Sequence, residues 1–122
     1  MADSALQIVE RLAGDVVVLI LSGEITLDDG DLEFGRRIDV LRARGSVKIL
    51  VDLAGVSYID SSGVGMMAAM LKDVQKSGGD IRLLRLNPRG HRLLGVLKLK
   101  TTFELFDDEA TALRSFESRP RG

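Results

Sequence analysis

The residues best suited to chemistry stand together as Asp60-Ser61-Ser62-Gly63-Val64-Gly65. They offer two hydroxyls beside a carboxylate, at the point where an apolar strand gives way to a helical pattern. The first backbone N–H groups of a helix have no partner within it. A serine hydroxyl there can accept one of these bonds as an N-cap, worth about 1 kcal/mol. A phosphate on the same oxygen would meet several N–H donors and the positive end of the helix dipole. It would also bring a charge of roughly −1.5 to −2. Gly63 and Gly65 read as bare surface beside the hydroxyls, which lets a partner approach closely. Asp60 would repel a neighbouring phosphate, so the modified and unmodified surfaces differ sharply. Taken alone, Asp-Ser-Ser-Gly at a helix start is also ordinary capping and turn chemistry.

Other chemistries find little support. Ser61 is not in a Gly-x-Ser-x-Gly elbow, and His91, the sole histidine, lies between Arg89 and Arg92, where a solvated or half-packed role is expected. No Gly-x-x-x-x-Gly-Lys-Ser/Thr loop is present, and Asp52 and Asp60 lack further ligands at metal spacing. The chain has no Cys, so thiolate chemistry is excluded. We therefore expect no catalytic residue, no metal and no cofactor. A net charge of −1 with no basic stripe, and only 4% aromatic residues, argue against nucleic-acid binding. The longest apolar run, Val16 to Leu21, is too short to cross a bilayer. Met1-Ala2-Asp3-Ser4 shows no basic or apolar leader pattern, so a soluble, cytoplasmic protein without membrane insertion is expected.

The elements that must position Ser61 follow from hydrophobic periodicity. Leu6 to Leu12 alternates, Ala13-Gly14-Asp15 is turn chemistry, and Val16 to Leu21 is a continuous apolar run. This predicts an antiparallel hairpin leading into a strand buried on both faces. From Leu27 to Arg44, Phe34, Ile38 and Leu41 fall at helical spacing, with an acidic opening at Asp28-Asp29-Gly30-Asp31 and a stop at Gly45. Val47 to Leu53 predicts a strand with Asp52 near its end, followed by a turn. Ser61-Ser62 opens a helix with Val64, Met67, Ala68, Leu71 and Val74 on one face and Ser77-Gly78-Gly79 as its stop. Met67 belongs to that core face. Met66 and Met70 share another stripe and can form an adaptable docking surface beside the site. Ile81 to Leu86 is a strand; Asn87-Pro88 starts a short helix that buries Leu93, Leu94 and Leu97; Phe103 to Phe106 is a short strand; Asp107 caps a last helix through Phe116. Strand-helix alternation implies right-handed crossovers. The expected class is α/β: a mixed, mostly parallel sheet of about five strands with an antiparallel first strand, packed with about four helices. One domain is expected over residues 1–118, with a frayed tail over 119–122.

Three stretches in order, Leu21-Ser-Gly-Glu24, Ile49 through Gly65, and Gly78-Gly-Asp-Ile-Arg-Leu-Leu84, resemble successive landmarks of the STAS domain family. Leu86 to Leu94 and Phe103 to Leu113 are similar to the family's last two helices and the strand between them. The likeness covers nearly the whole chain and is of the bacterial anti-sigma factor antagonist type. It implies that the Ser after the motif Asp, here Ser61, is phosphorylated by an anti-sigma factor that is a serine kinase. It also implies that a serine phosphatase reverses the modification. The unphosphorylated form binds the anti-sigma factor and frees the sigma factor; the phosphorylated form does not bind. By the same resemblance the loop after the second strand lies near Ser61. Partner binding is accordingly assigned to Asp60, Ser61, Ser62, Gly63, Val64, Gly65 and Met66, together with Glu24 and Thr26. The segment Glu24 to Phe34 is more acidic and more glycine-interrupted than is usual in the sporulation-type antagonists, which leaves the partner's identity open.

Two rivals share this architecture. A phosphoacceptor receiver domain needs an acidic pair after the first strand and a Lys after the last; Leu21-Ser-Gly-Glu-Ile25 and Asp107 supply neither. A non-phosphorylated STAS adaptor of a transport or stress-signalling complex keeps the fold and changes the role.

Overall fold

The computed structural model describes residues 6–27 and 30–117. The expected tail over 119–122 and the acidic pair Asp28-Asp29 lie outside the described residues. Strands β1 (Gln7–Ala13), β2 (Val16–Ile25), β3 (Lys48–Ile59), β4 (Asp80–Leu84) and β5 (Leu105–Phe106) form one sheet in the order β1-β2-β3-β4-β5. Helices α1 (Asp31–Ala43), α2 (Ser61–Lys76), α3 (Pro88–Val96) and α4 (Glu109–Ser115) connect or follow them. β1 runs antiparallel to β2, and every other neighbouring pair is parallel. The hairpin closes through Gly14-Asp15, with Gly14 at φ 63°, a conformation glycine adopts at little cost.

Alternation along the strands divides the core into two layers. Val17, Leu19 and Leu21 of β2, with Ile49, Val51, Ile81 and Leu83, face α1, α2 and α3. Val16, Val18, Leu50 and Leu84 face the other way, onto Ala112 and Phe116 around α4. On that second face Arg82 lies 4.5 Å from the Phe116 ring centroid and donates to Ser115, so a cation is held without cutting the apolar layer.

Several boundaries differ from the periodicity reading. β2 and β3 continue past Leu21 and Leu53 to Ile25 and Ile59. The expected turn after Leu53 is therefore strand, with register shifts between Ile20 and Ser22 and between Gly23 and Glu24. A Cβ at Gly55 would lie 2.9 Å from the Leu21 carbonyl oxygen, so the irregular pairing needs a glycine there. Asp52 does not end β3. It sits within the strand where pairing with β4 stops, accepts the Ala54 N–H at 3.0 Å and pairs with Arg85 at 3.1 Å. Helix α1 starts at Asp31, not Leu27, after Gly30 at φ 101°. The last helix is capped by Asp108, not Asp107. Leu12 is 71% exposed: its strand face brings Leu6 and Ile8 to the core but turns Glu10 to Arg37 of α1 and to Arg44, the residue that caps the end of that helix.

Because β2, β3 and β4 are parallel, they end at one edge of the sheet. The starts of α1, α2 and α3 therefore lie along that edge, and α2 begins beside the end of its middle strand, β3.

Candidate functional site

Helix α2 begins immediately after β3. Asp60 is its N-cap, with extended backbone at φ −105°, ψ −178°. One carboxylate oxygen accepts the Gly63 N–H at 2.9 Å; the other accepts the Leu27 N–H at 3.2 Å. The Asp60 N–H in turn donates to the Ile25 carbonyl at 3.2 Å. A single residue thus ties the helix start, the end of β2 and the loop after it. This corrects the expectation that a serine hydroxyl caps the helix. A carboxylate has a second acceptor oxygen, and here that oxygen holds the loop.

Ser61 is consequently the first helical residue. It is exposed, and its hydroxyl makes no hydrogen bond within the described residues. Ser62 differs: half-buried, it donates to Asp31 at 3.2 Å. Asp31 opens α1, is only 5% exposed, and also accepts the Leu32 N–H at 2.7 Å. The Ser62–Asp31 bond joins the starts of α1 and α2. Asp31 entered the sequence reading only as part of an acidic opening, since nothing along the chain indicates a partner 31 residues away.

The two glycines part company. Gly65 is exposed, with no atom within 4 Å of where a Cβ would stand. Gly63 does not open the surface. It is buried, and a Cβ there would lie 2.3 Å from the Ile25 carbonyl oxygen. Its role is to let α2 sit directly on β2. Val64 is likewise 2% exposed and belongs to the core beneath the site. Glu24 and Thr26 are half-buried on the neighbouring strand end. Glu24 pairs with Tyr58 across the strands, and Thr26 bridges to Gly30. A Cβ at Gly30 would fall 2.6 Å from the Glu24 carbonyl oxygen, so the return of this loop requires glycine. Met66, half-buried, lines a hollow of about 310 Å³ with Met70, Leu32 and Gly35 between α1 and α2. Asp60, Ser61, Ser62, Gly65, Met66, Glu24 and Thr26 thus reach the surface at one end of the molecule, while Gly63 and Val64 support it from below.

The sequence reading also missed a neighbour. Arg89 at the start of α3 stacks on Tyr58 at 4.4 Å and donates to its hydroxyl at 2.9 Å. It brings a cation to the same edge of the sheet. His91 is half-buried on α3 and is in none of the contacts around Ser61. Among the described residues no group of three or more His, Cys, Asp or Glu side chains could hold a metal ion. No helix among them is long and apolar enough to cross a membrane.

The arrangement presents a lone hydroxyl on a braced helix start. A phosphate on Ser61 would project from the helix's positive end. It would also stand beside the carboxylate of Asp60, with that of Asp31 one helix away.

Comparison with known proteins agrees with this geometry. The model of the STAS domain family matches residues 7–112. An anti-sigma F factor antagonist of Paenibacillus polymyxa is 29% identical over 102 residues, covering 84% of this chain and 87% of that protein. An anti-sigma factor antagonist of Mycobacterium paratuberculosis superposes with a TM-score of 0.83 at 22% identity, over 96% of this chain and 98% of that one. The Bacillus cell fate determinant SpoIIAA in its phosphorylated form gives a TM-score of 0.70 at 22% identity, over 93% and 100% of the two chains. These are families of regulatory adaptors rather than enzymes. With the match running from the first strand into the last helix, the chain belongs to the STAS domain family, in its anti-sigma factor antagonist branch.

Proposed function

We propose that this protein is an anti-sigma factor antagonist of the cytoplasm whose switch is Ser61. Unphosphorylated, it binds an anti-sigma factor that is also a serine kinase, and so releases the sigma factor. Phosphorylation of Ser61 ends binding, and a serine phosphatase restores it. The observation that carries this reading is the contrast between adjacent serines: Ser61 is exposed, whereas the Ser62 hydroxyl is engaged by Asp31. Asp60, not Ser61, supplies the cap, so the Ser61 hydroxyl can be modified without undoing the helix start. The added charge changes the surface while the fold persists. The antagonist of Paenibacillus polymyxa and the two solved states of SpoIIAA, phosphorylated and unphosphorylated, support carrying a phospho-regulated role to this chain.

Titration calorimetry against the anti-sigma serine kinase of the same cell tests the proposal. Ser61→Asp is expected to weaken binding by at least about tenfold, the scale of a like-charge or desolvation penalty at an interface. Ser61→Ala is expected to bind like the wild type. Equal affinity of wild type and Ser61→Asp would overturn the electrostatic switch.

A further inference from the structure

The two edges of the sheet are finished differently. β5 is two residues long, whereas β1 presents seven, Gln7–Ala13, and no described strand lies beyond it. The tight turn at Gly14-Asp15 makes Ala13 and Val16 a hydrogen-bonded pair, and such pairs alternate along an antiparallel ladder. Ile8, Glu10 and Leu12 therefore aim their N–H and C=O groups away from β2, and no turn or loop among the described residues bonds to them. Charged side chains ordinarily protect such an edge. Here they are drawn inward. Arg37 and Arg44 hold Glu10 on one face, and Glu109 of α4 holds Arg11 on the other. What stands outermost on the strand is apolar: Val9, 59% exposed on the α4 face, and Leu12, exposed on the α1 face.

We propose that β1 pairs with β1 of a second copy, antiparallel about a two-fold axis at Val9, so that two sheets become one. The strand is complementary to itself in this register. With the outward groups facing, registers that set both Val9 and Leu12 against residues 6–13 of the other strand centre on Val9, Glu10 or Arg11. A centre at Glu10 or at Arg11 puts that charge directly opposite its own copy, which is destabilising. The centre at Val9 opposes no like charges. It sets Val9 against Val9, Leu12 against Leu6, Glu10 against Ile8 and Arg11 against Gln7 of the second copy, and Ile8 and Glu10 exchange main-chain bonds across it. The two Glu10 side chains meet only diagonally, each held by its own arginines. The contact is the same patch on both copies, so it closes at two. It is narrow and therefore weak; being apolar and main-chain, it changes little with salt. Ser61 follows β3, two strands in from this edge, so the dimer carries two open Ser61 surfaces whether or not that serine is phosphorylated.

Sedimentation velocity of the full chain, from micromolar to millimolar concentration, tests it. The wild type should pass from monomer to dimer over this range, at low and high salt alike. Val9→Lys and Val9→Glu should each weaken dimerisation by at least roughly tenfold, because each sets like charges opposite at the axis. An equal mixture of the two should dimerise again, since Lys then faces Glu. Val96→Lys, at an exposed apolar site on α3, should dimerise like the wild type. Val9 is exposed, and unchanged thermal melts show that its variants fold. In the wild type itself, amide exchange at Ile8, Glu10 and Leu12 should slow severalfold as concentration rises. A wild type that stays monomeric throughout overturns the proposal, as does a mixture no tighter than its components, an equal loss in Val96→Lys, or exchange at those amides independent of concentration. Growth past the dimer overturns the closed two-fold arrangement.

Discussion

Helices α2 and α3 begin alike. In Asp60-Ser61-Ser62-Gly63 and in Asn87-Pro88-Arg89-Gly90 an N-cap side chain accepts the N–H of a glycine three residues on, at 2.9 and 2.8 Å. The first helical residue is an exposed serine in one and a proline in the other. Asp60 uses its second oxygen to hold the Leu27 N–H; among the described residues the Asn87 side chain makes one hydrogen bond, to the Gly90 N–H. The glycines differ in what they touch. A Cβ at Gly63 would meet the backbone oxygen of Ile25 at 2.3 Å, whereas one at Gly90 would meet side-chain atoms of Leu86, Cδ1 at 2.3 Å and Cγ at 2.7 Å. The same local device is thus adjustable in α3 and fixed in α2. A fixed platform suits a residue whose modification must be read as a change of charge and not of shape.

The largest expected effect comes from the glycines. Gly63→Ala should cost about 3 kcal/mol or more, because neither the strand nor the helix can move aside without loosening the core. Gly90→Ala should stay within about 1 kcal/mol of wild type, since Leu86 can rotate and alanine favours the helix. Urea unfolding of the two variants measures the difference, and equal losses would contradict the contrast. The caps come next. Asp60→Ala removes two accepted bonds and should cost about 2 kcal/mol; Asn87→Ala removes one and should cost about 1 kcal/mol. Ser61→Ala should change stability by no more than about 0.5 kcal/mol, because an exposed hydroxyl that caps nothing contributes little. A loss near 2 kcal/mol would return the cap to Ser61.

Much of this frame was legible in the chain itself. The spacing of Phe34, Ile38 and Leu41, and of Val64, Met67, Leu71 and Val74, identifies the buried faces of α1 and α2, and both sets are buried. Asn87-Pro88 marks the start of α3 correctly because cap chemistry is local. The second half of β3 was hidden because Ala54-Gly55 interrupts the apolar run and Ser57 and Tyr58 read as turn residues. Only pairing with β2 makes that segment a strand. The choice of Asp60 over Ser61 as the cap, and of Asp108 over Asp107, depends on single-residue register, which periodicity does not resolve. The Ser62–Asp31 and Tyr58–Arg89 contacts join residues about thirty apart and exist only in the fold.

The smallest expected effect concerns acid. The Thr111 backbone N–H, and then its hydroxyl, hold the Asp108 carboxyl below its ordinary 3.8; Lys48 does the same for Asp15. A carboxylate lowered by folding adds stability that is complete above the unfolded value and lost as pH falls through the folded one. Urea midpoints of Asp108→Asn should therefore fall slightly less than those of wild type between about pH 5 and pH 2. A steeper fall in the variant would contradict the assignment.

The most direct test of the central claim is site mapping by mass spectrometry after incubation with ATP and the anti-sigma serine kinase of the same cell. One phosphate on Ser61, absent in Ser61→Ala and retained in Ser62→Ala, is the expected result. Phosphate on Ser62, or none on either serine, would contradict it.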